Sequence, residues 1–442
     1  MRRRVATVIT TLAAISLGAA ALAVAPAASA LPGTTTKFPK GASTTRYTGK
    51  AFDTCTAPSL ATMTAWAASP YRGIGVYIGG PMRGCAQPNL TPAWVTSVTT
   101  QGWKLLPIYM GLQAPCSGFT EPEKLITASK AAAQGTTSAA DAVTEMKALG
   151  LQPGSAVYDD MEHYNADDTA CRDAALTYLS SFTKELHRQG YVSGVYTAFT
   201  PGSADLSASY TSTSYARADA IWLARWDKAA SATTGFTSIG TTQWNIHQRA
   251  KQYWHDVEET YPATGGVKLL IDNDYVDGPV ATVARPHLIS VKATPRSAPT
   301  TSSTASATLA VGTTVQVICQ APGKSSAGTK VWDKLSNGLY VNDHYVDTPS
   351  NTTYSGGIPR CNYAYQVTPA KGTAERSGAG SSYAKKGTRS AGALAWVVCQ
   401  KSATKKTGTT KVWDQLNTGY YVSDYDVATA SQTTYTAPVP RC

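Results

Sequence analysis

Between residues 51 and 278 the sequence keeps one rhythm, in which short apolar, β-rich runs alternate with longer helical or irregular stretches. The runs fall at 51–54, 73–79, 104–110, 156–160, 192–198, 220–226, 241–245 and 268–273. Eight of them in about 230 residues fit the length and spacing of an α/β fold, the (β/α)8 TIM-type barrel. Helix punctuation between the runs agrees with this. Thr91 and Pro92 supply an N-cap and a first-turn proline, with Gly102 beyond the end. Ser138 and Asp141 have capping-box spacing, and Gly150 stops the helix they would start. From 169 to 189, Ala175, Leu176, Leu179, Phe182 and Leu186 share a face that Gly190 terminates. After Asp227, and from 247 to 266, no comparable helix signal is present.

The fourth run, SAVYDDMEHY at 155–164, leads straight into acids. In a strand Asp160 and Glu162 project from one side and Asp159 from the other. A carboxylate pair on a rigid element is what acid-assisted cleavage of a glycosidic bond requires. Strand geometry puts the pair about 6 to 7 Å apart, between the retaining and inverting windows, so spacing leaves the stereochemistry open. Functional residues of such barrels gather at the C-terminal strand ends. Those positions here hold Asp53, Tyr77, Tyr109, Asp160, Glu162, Tyr196, Trp226, Gln243, Trp244, Asp272 and Asp274. Any single acid there could be a helix cap, but acids at three separate strand ends repel one another and point to function. Tyr77, Tyr109, Tyr196 and Trp226 could stack on sugar faces, or simply pack the barrel. A metal site built from Asp159, Asp160, His163 and Asp274 is disfavoured, because the two adjacent aspartates face apart and no second histidine has ligand spacing. No metal or cofactor is expected.

The chain begins with Arg2, Arg3 and Arg4, continues through an apolar run diluted by Ala and Gly, and reaches Ala28, Ser29 and Ala30. That is the order of a secretory signal peptide over 1–30, and an uncleaved anchor is the weaker reading. A flexible lead-in is expected over 31–50. The mature chain is then a secreted, extracellular or wall-associated monomer without stable membrane insertion. The net charge is +11, of which the signal arginines carry three units. A basic secreted protein favours anionic surfaces such as a cell wall. Nucleic acid is discounted as a partner, since no helix-turn-helix, zinc-finger or RNA-binding signature accompanies the charge.

The barrel is expected over 51–283, followed by a Ser, Thr, Pro and Ala linker at 284–310. Beyond it VWDKLSNGLYVND at 331–343 returns as VWDQLNTGYYVSD at 412–424, ICQ at 318–320 as VCQ at 398–400, and PRC at 359–361 as PRC at 440–442. Two small all-β modules are read at 311–361 and 392–442, joined by a linker at 362–391. They resemble the bacterial SH3-like domains that secreted wall enzymes carry as targeting units. The eight cysteines read as disulfides rather than a metal site, because no C-x-x-C pair occurs. Closing each module on itself pairs Cys319 with Cys361 and Cys399 with Cys442. The other four cysteines allow three connectivities, of which neighbouring top-face loops favour Cys55 with Cys85 and Cys116 with Cys171.

The acid motifs also carry a resemblance. Asp53 after Phe52 on the first run, Asp160-Met161-Glu162 on the fourth and IDNDY at 271–275 on the last are similar to the muramidases of glycoside hydrolase family 25. FDTCTAPS at 52–59, IGVYIGG at 74–80, NLTP at 89–92 and HRQGYVSGVY at 187–196 resemble more closely the glycoside-hydrolase-like domain of secreted actinobacterial proteins. The resemblance implies cleavage of β-linked N-acetylated sugars, as in peptidoglycan or a related cell-wall polysaccharide. It implies Glu162 as general acid, and Asp160 as stabiliser of an intermediate formed by the substrate's own acetamido group. Asp53 and Asp272 would orient water or substrate and keep Glu162 protonated. The alternative is a non-catalytic wall- or glycan-binding protein that retains a hydrolase-like barrel.

Overall fold

The computed structural model describes residues 45–442 apart from 246, 393, 417, 437, 438 and 440. The expected signal peptide and residues 31–44 lie outside the described residues. Eight strands close into a barrel in sequence order. They are β1 (Thr45–Asp53), β2 (Gly73–Gly79), β3 (Lys104–Tyr109), β4 (Ala156–Met161), β5 (Val192–Ala198), β6 (Ala220–Ala224), β7 (Arg249–Tyr261) and β8 (Val267–Val280). Helices α1 (Leu60–Ala65), α2 (Pro92–Thr100), α3 (Ala131–Ala148), α4 (Thr169–Gln189) and α5 (Gly202–Ala208) follow the first five strands. The fold is thus an α/β, TIM-like barrel followed by all-β modules. Neighbours from β1 to β7 pair in parallel, whereas β8 is antiparallel to both β7 and β1. The reason is local. Residues 262–266 are too few to cross back over the barrel, so β7 and β8 form a hairpin. Among the described residues no helix is long and apolar enough to cross a membrane.

Local chemistry accounts for the helix ends. The Thr91 hydroxyl accepts from the Trp94 amide and Asp168 caps α4 through the Cys171 amide, while Gly190 ends α4 at φ 84°. The face of α4 that carries Ala175, Leu176, Leu179, Phe182 and Leu186 is buried. α3 begins at Ala131, seven residues before Ser138. The preceding alanine run extends the helix, so Ser138 lies inside it and caps nothing.

Three boundaries differ from the sequence expectation. Thr45–Lys50, assigned to the lead-in, is strand: it pairs with Tyr275–Val280 of β8 and closes the barrel. The seventh strand is Arg249–Tyr261 and not 241–245, where Trp244 has a φ of 47°. β7 carries no apolar sequence signal because three of its first four residues, Arg249, Lys251 and Gln252, are polar groups buried through distant partners; the Lys251 ammonium lies 2.9 Å from Asp227. Finally, both expected linkers are folded. β9 (Arg285–Leu288) joins β10 (Thr314–Ser326), β11 (Thr329–Leu335) and β12 (Tyr340–Asn342) in one sheet. Residues 362–391 supply β13 (Tyr363–Gln366), β14 (Thr373–Arg376) and β15 (Lys385–Arg389), which join β16 (Leu394–Thr407), β17 (Thr410–Leu416) and β18 (Tyr421–Ser423). Ser- and Thr-rich composition hid these edges, because a few anchors such as Ile289, Ala293 and Val367 suffice to seat them.

The tail is not strung on tethers. Trp332 and Tyr340 of the first module share a core with Tyr363, Val397 and Val422 of the second. Trp396 on β16 is buried with Ala51, Leu106, Ala156, Val192, Ala220 and Val280 of the barrel interior. Ala156, Val192 and Ala220 open their strands, so the indole closes the barrel floor, opposite the acid-bearing ends. Disulfides join Cys55 with Cys85, Cys116 with Cys171, Cys319 with Cys361 and Cys399 with Cys442.

Candidate active site

The antiparallel register of β8 against β1 sets Asp272 directly opposite Asp53 and Asp274 opposite Ala51. On the far side of the barrel Asp160 pairs in register with Tyr196, and Tyr196 with Trp222. Asp160 is buried and Glu162, one residue beyond the end of β4, is half-buried at the rim. Gln113 holds this segment: its Nε2 donates to the Asp160 carbonyl at 2.7 Å and its Oε1 accepts from the Glu162 amide at 2.9 Å. A buried glutamine that satisfies both backbone groups fixes the direction in which Glu162 leaves the strand.

Gln252 organises the opposite wall. Its Oε1 accepts from Tyr196 and from Trp226 Nε1, both at 3.0 Å. Its Nε2 donates to Asp53 Oδ2 at 2.9 Å and to Asp272 Oδ2 at 3.2 Å. The indole N–H can only donate, so the amide oxygen must face Trp226 and the amide nitrogen must face the acids. The other oxygen of Asp272 accepts from the Asp256 amide at 2.7 Å, where β7 bulges and Asp256 takes φ 53°. Trp222 Nε1 donates to Asp274 Oδ1 at 2.9 Å.

These contacts leave five acids in one region with few counter-charges. Burial, followed by the charge of Asp272, pushes Asp53 up to about 7, against the hydrogen bonds from Gln252 and Asp274. Asp274 is driven well above the usual carboxylate range by burial and by the charge of Asp53, against the hydrogen bond from Trp222. Asp160 rises well above it for the same reasons, burial first and Glu162 second. Glu162 and Asp272 are raised mainly by burial. Burial raises both members of the pairs Asp53 with Asp274 and Asp160 with Glu162, and repulsion by the partner adds to it at Asp274 and Asp160, which favours one proton held between the two acids of each pair over full ionisation. The phenols of Tyr77 and Tyr196 are pushed up by burial and by these same acids, which places both rings in the mouth. The arrangement can hold protons at neutral pH beside ionised carboxylates, the condition for general-acid chemistry.

Not every residue expected at the mouth is there. Tyr109 faces outward, donates to Asp141 Oδ2 at 2.8 Å and packs against Phe182 of α4. Gln243 sits in the turn before β7 and is spent on Ser207 and the Gly240 amide. Trp244 is buried against Tyr210. Asp159 points away from the pair toward Tyr178 of α4, 3.5 Å away. Trp226 is 56% exposed at the rim. Gln252 and Gln113 were the residues missed, and only the β7 register, with Ala250 and Gln252 on one face, could have signalled the first. Among the described residues no group of three or more His, Cys, Asp or Glu is arranged to hold a metal ion.

Residues 64–276 match the family model described as Rv2525c-like, glycoside hydrolase-like domain. That span includes Asp160, Glu162, Asp272 and Asp274, and begins after Asp53. No curated protein matches the chain. Among solved structures, the Mycobacterium tuberculosis Tat-secreted protein Rv2525c is 15% identical, with 52% of this chain and 96% of that one covered at a TM-score of 0.36. The modular autolysin LytC from Streptococcus pneumoniae, solved with a synthetic peptidoglycan ligand, is 11% identical over 52% of this chain and 46% of that one, TM-score 0.31. The Clostridium perfringens spore cortex lytic enzyme SleM is 11% identical over 85% of this chain and 95% of that one, TM-score 0.36.

Proposed function

We propose that this chain is a secreted glycoside hydrolase that cuts a cell-wall glycan built from N-acetylated sugars. The observation that carries the reading is the placing of Asp160 and Glu162 together at the end of β4, where Gln113 holds the backbone of both. The match to a glycoside hydrolase-like family model supports it. Glu162, nearer solvent, gives its proton to the glycosidic oxygen as the bond to the anomeric carbon breaks. Asp160 holds the acetamido N–H of the same sugar while the acetamido oxygen closes onto that carbon. Water then opens the ring under base assistance from Glu162. Asp53, Asp272 and Asp274 surround the site with negative charge that disfavours loss of the proton. Tyr77, Tyr196 and Trp226 line the approach. Four disulfides fit an oxidising, extracellular setting, and the tail modules serve as SH3-like wall-attachment units.

The test is incubation of the purified chain with peptidoglycan, followed by assay of new reducing ends. Glu162→Gln is expected to lower turnover by roughly 10²-fold or more. Turnover that survives this substitution overturns the acid assignment. Retention on the wall without any new reducing ends from the parent chain would replace the reading with a non-catalytic wall-binding protein.

A further inference from the structure

The two tail modules share one repeat, and one of their differences lies in the stretch after the arginine that pairs with the repeat's tyrosine. In the first module the stretch after Arg296 lies down on β10: the Lys324 amide donates to the Pro299 carbonyl at 2.9 Å. Gly323 makes this contact possible, since a Cβ there would stand 2.3 Å from the Pro299 oxygen. In the second module Arg376 and its bridge to Tyr421 repeat Arg296 and its bridge to Tyr340. Counting from the paired residues Ala321 with Trp332 and Lys401 with Trp413, Ala403 occupies the position of Gly323. A Cβ at the Gly323 position would stand 2.3 Å from a loop carbonyl placed as that of Pro299 is, so a methyl-bearing residue does not suit this docking. A cleft of about 440 Å³ is open here, between residues 377–383 and the 401–405 segment of β16.

The cleft is equipped as well as open. Tyr383 is 50% exposed and its ring lies on Gly378, where a Cβ would stand 2.5 Å from the ring. Arg376 Nη1 donates to the Tyr383 carbonyl at 2.8 Å, which pins the loop end. Lys401 and Lys405 line the cleft with Tyr421, and among the described residues no acidic side chain does. Exposed Lys385 and Lys386 open β15 two residues beyond Tyr383. The charge is local to the tail. Residues 284–442 hold 17 Lys and Arg against 7 Asp and Glu, while residues 31–283 hold 19 against 21.

We propose that this cleft binds an anionic wall glycan, with a sugar ring on Tyr383 and its phosphate or carboxylate groups on Lys401 and Lys405. An aromatic platform and unopposed ammonium groups in one rigid cleft suit a ligand that alternates apolar sugar faces with negative charge. The inference refines the wall-attachment reading and is independent of catalysis, because retention needs no bond to break.

The test measures retention of the full-length chain on purified Gram-positive walls across a salt series. Lys401→Gln with Lys405→Gln is expected to weaken retention roughly five- to tenfold and to flatten its salt dependence. Tyr383→Ala should weaken it further. The charge-matched control, Lys324→Gln with Lys330→Gln in the first module, should change it less than twofold. Walls stripped of phosphodiester polymers by hydrofluoric acid separate the two anion sources: lost lysine-dependent binding assigns phosphate, and kept binding assigns the carboxylates of the remaining wall. Equal effects of the two lysine pairs would overturn the site in favour of bulk charge. Tighter lysine-dependent binding to duplex DNA than to either wall would also overturn it.

Discussion

Gln252 Nε2 lies 2.9 Å from Asp53 Oδ2, tying the seventh strand to an acid 199 residues earlier in the chain. The same nitrogen reaches Asp272, so one neutral amide stands between two carboxyls that face each other across β1 and β8. Replacing Gln252 with Leu removes a hydrogen bond that holds the Asp53 pKa down against burial and the charge of Asp272. The expected result is a fall in kcat on wall glycan of roughly 10²-fold with little change in KM, and an alkaline limb of the pH–rate profile displaced downward, because Asp53 without this bond carries less of the charge that keeps Glu162 protonated. An unmoved limb would show that Gln252 does not govern the acids.

Barrel stability should fall toward alkaline pH. The folded-state pKa of Asp53, about 7, and those of Asp160 and Asp274 are raised above the unfolded value near 4. Stability contributed by the protonated forms is fully present below about 4 and is lost as pH rises through the folded values. Acids held low by cations or histidine, such as Asp227 beside Lys251 and Asp277 beside His247, act in the opposite sense at low pH. Denaturant unfolding should therefore show greater stability near pH 5 than at pH 8.5, and Asp53→Asn should shrink that difference while impairing turnover. Equal stability at the two pH values refutes the proton-sharing assignment.

Each tail module repeats another buried carboxyl pair. Gln320 Nε2 donates to Asp333 and Asp343 at 3.0 and 2.7 Å, and Gln400 Nε2 to Asp414 and Asp424 at 2.8 and 2.9 Å. Burial first raises Asp424 to about 6 and Asp414 well above the usual range. By the same sign, module stability should drop as pH rises through about 6. Gln400→Ala is expected to cost about 1–3 kcal/mol, and Asp414→Asn to flatten the pH dependence, both read by thermal unfolding at pH 5 and 8.

Trp396→Ala should destabilise the whole chain by about 3–5 kcal/mol, the usual range for deleting a buried tryptophan. Because the indole belongs to the barrel core as well as to β16, intrinsic fluorescence and hydrogen exchange at the floor residues should both report the loss. A cost below 1 kcal/mol, with floor amides still protected, would mean that the tail does not seal the barrel.

The sequence by itself determined seven of the eight barrel strands, the acids carried by the first, fourth and last of them, and the doubled tail. Each is local: an apolar run, a D-x-E two residues apart on one face, or a repeated VWD motif carries its own signal. Tertiary structure alone decided that β7 is the polar stretch beginning at Arg249, because Lys251 and Gln252 are stable in the interior only through Asp227, Asp53 and Asp272. It likewise turned Tyr109 outward to Asp141, left Gln243 in a turn, and seated Trp396 in the barrel floor. A short strand segment says that a polar side chain is present and on which face. Whether burial leaves it stranded or makes it the hinge of a site depends on partners that folding brings from hundreds of residues away.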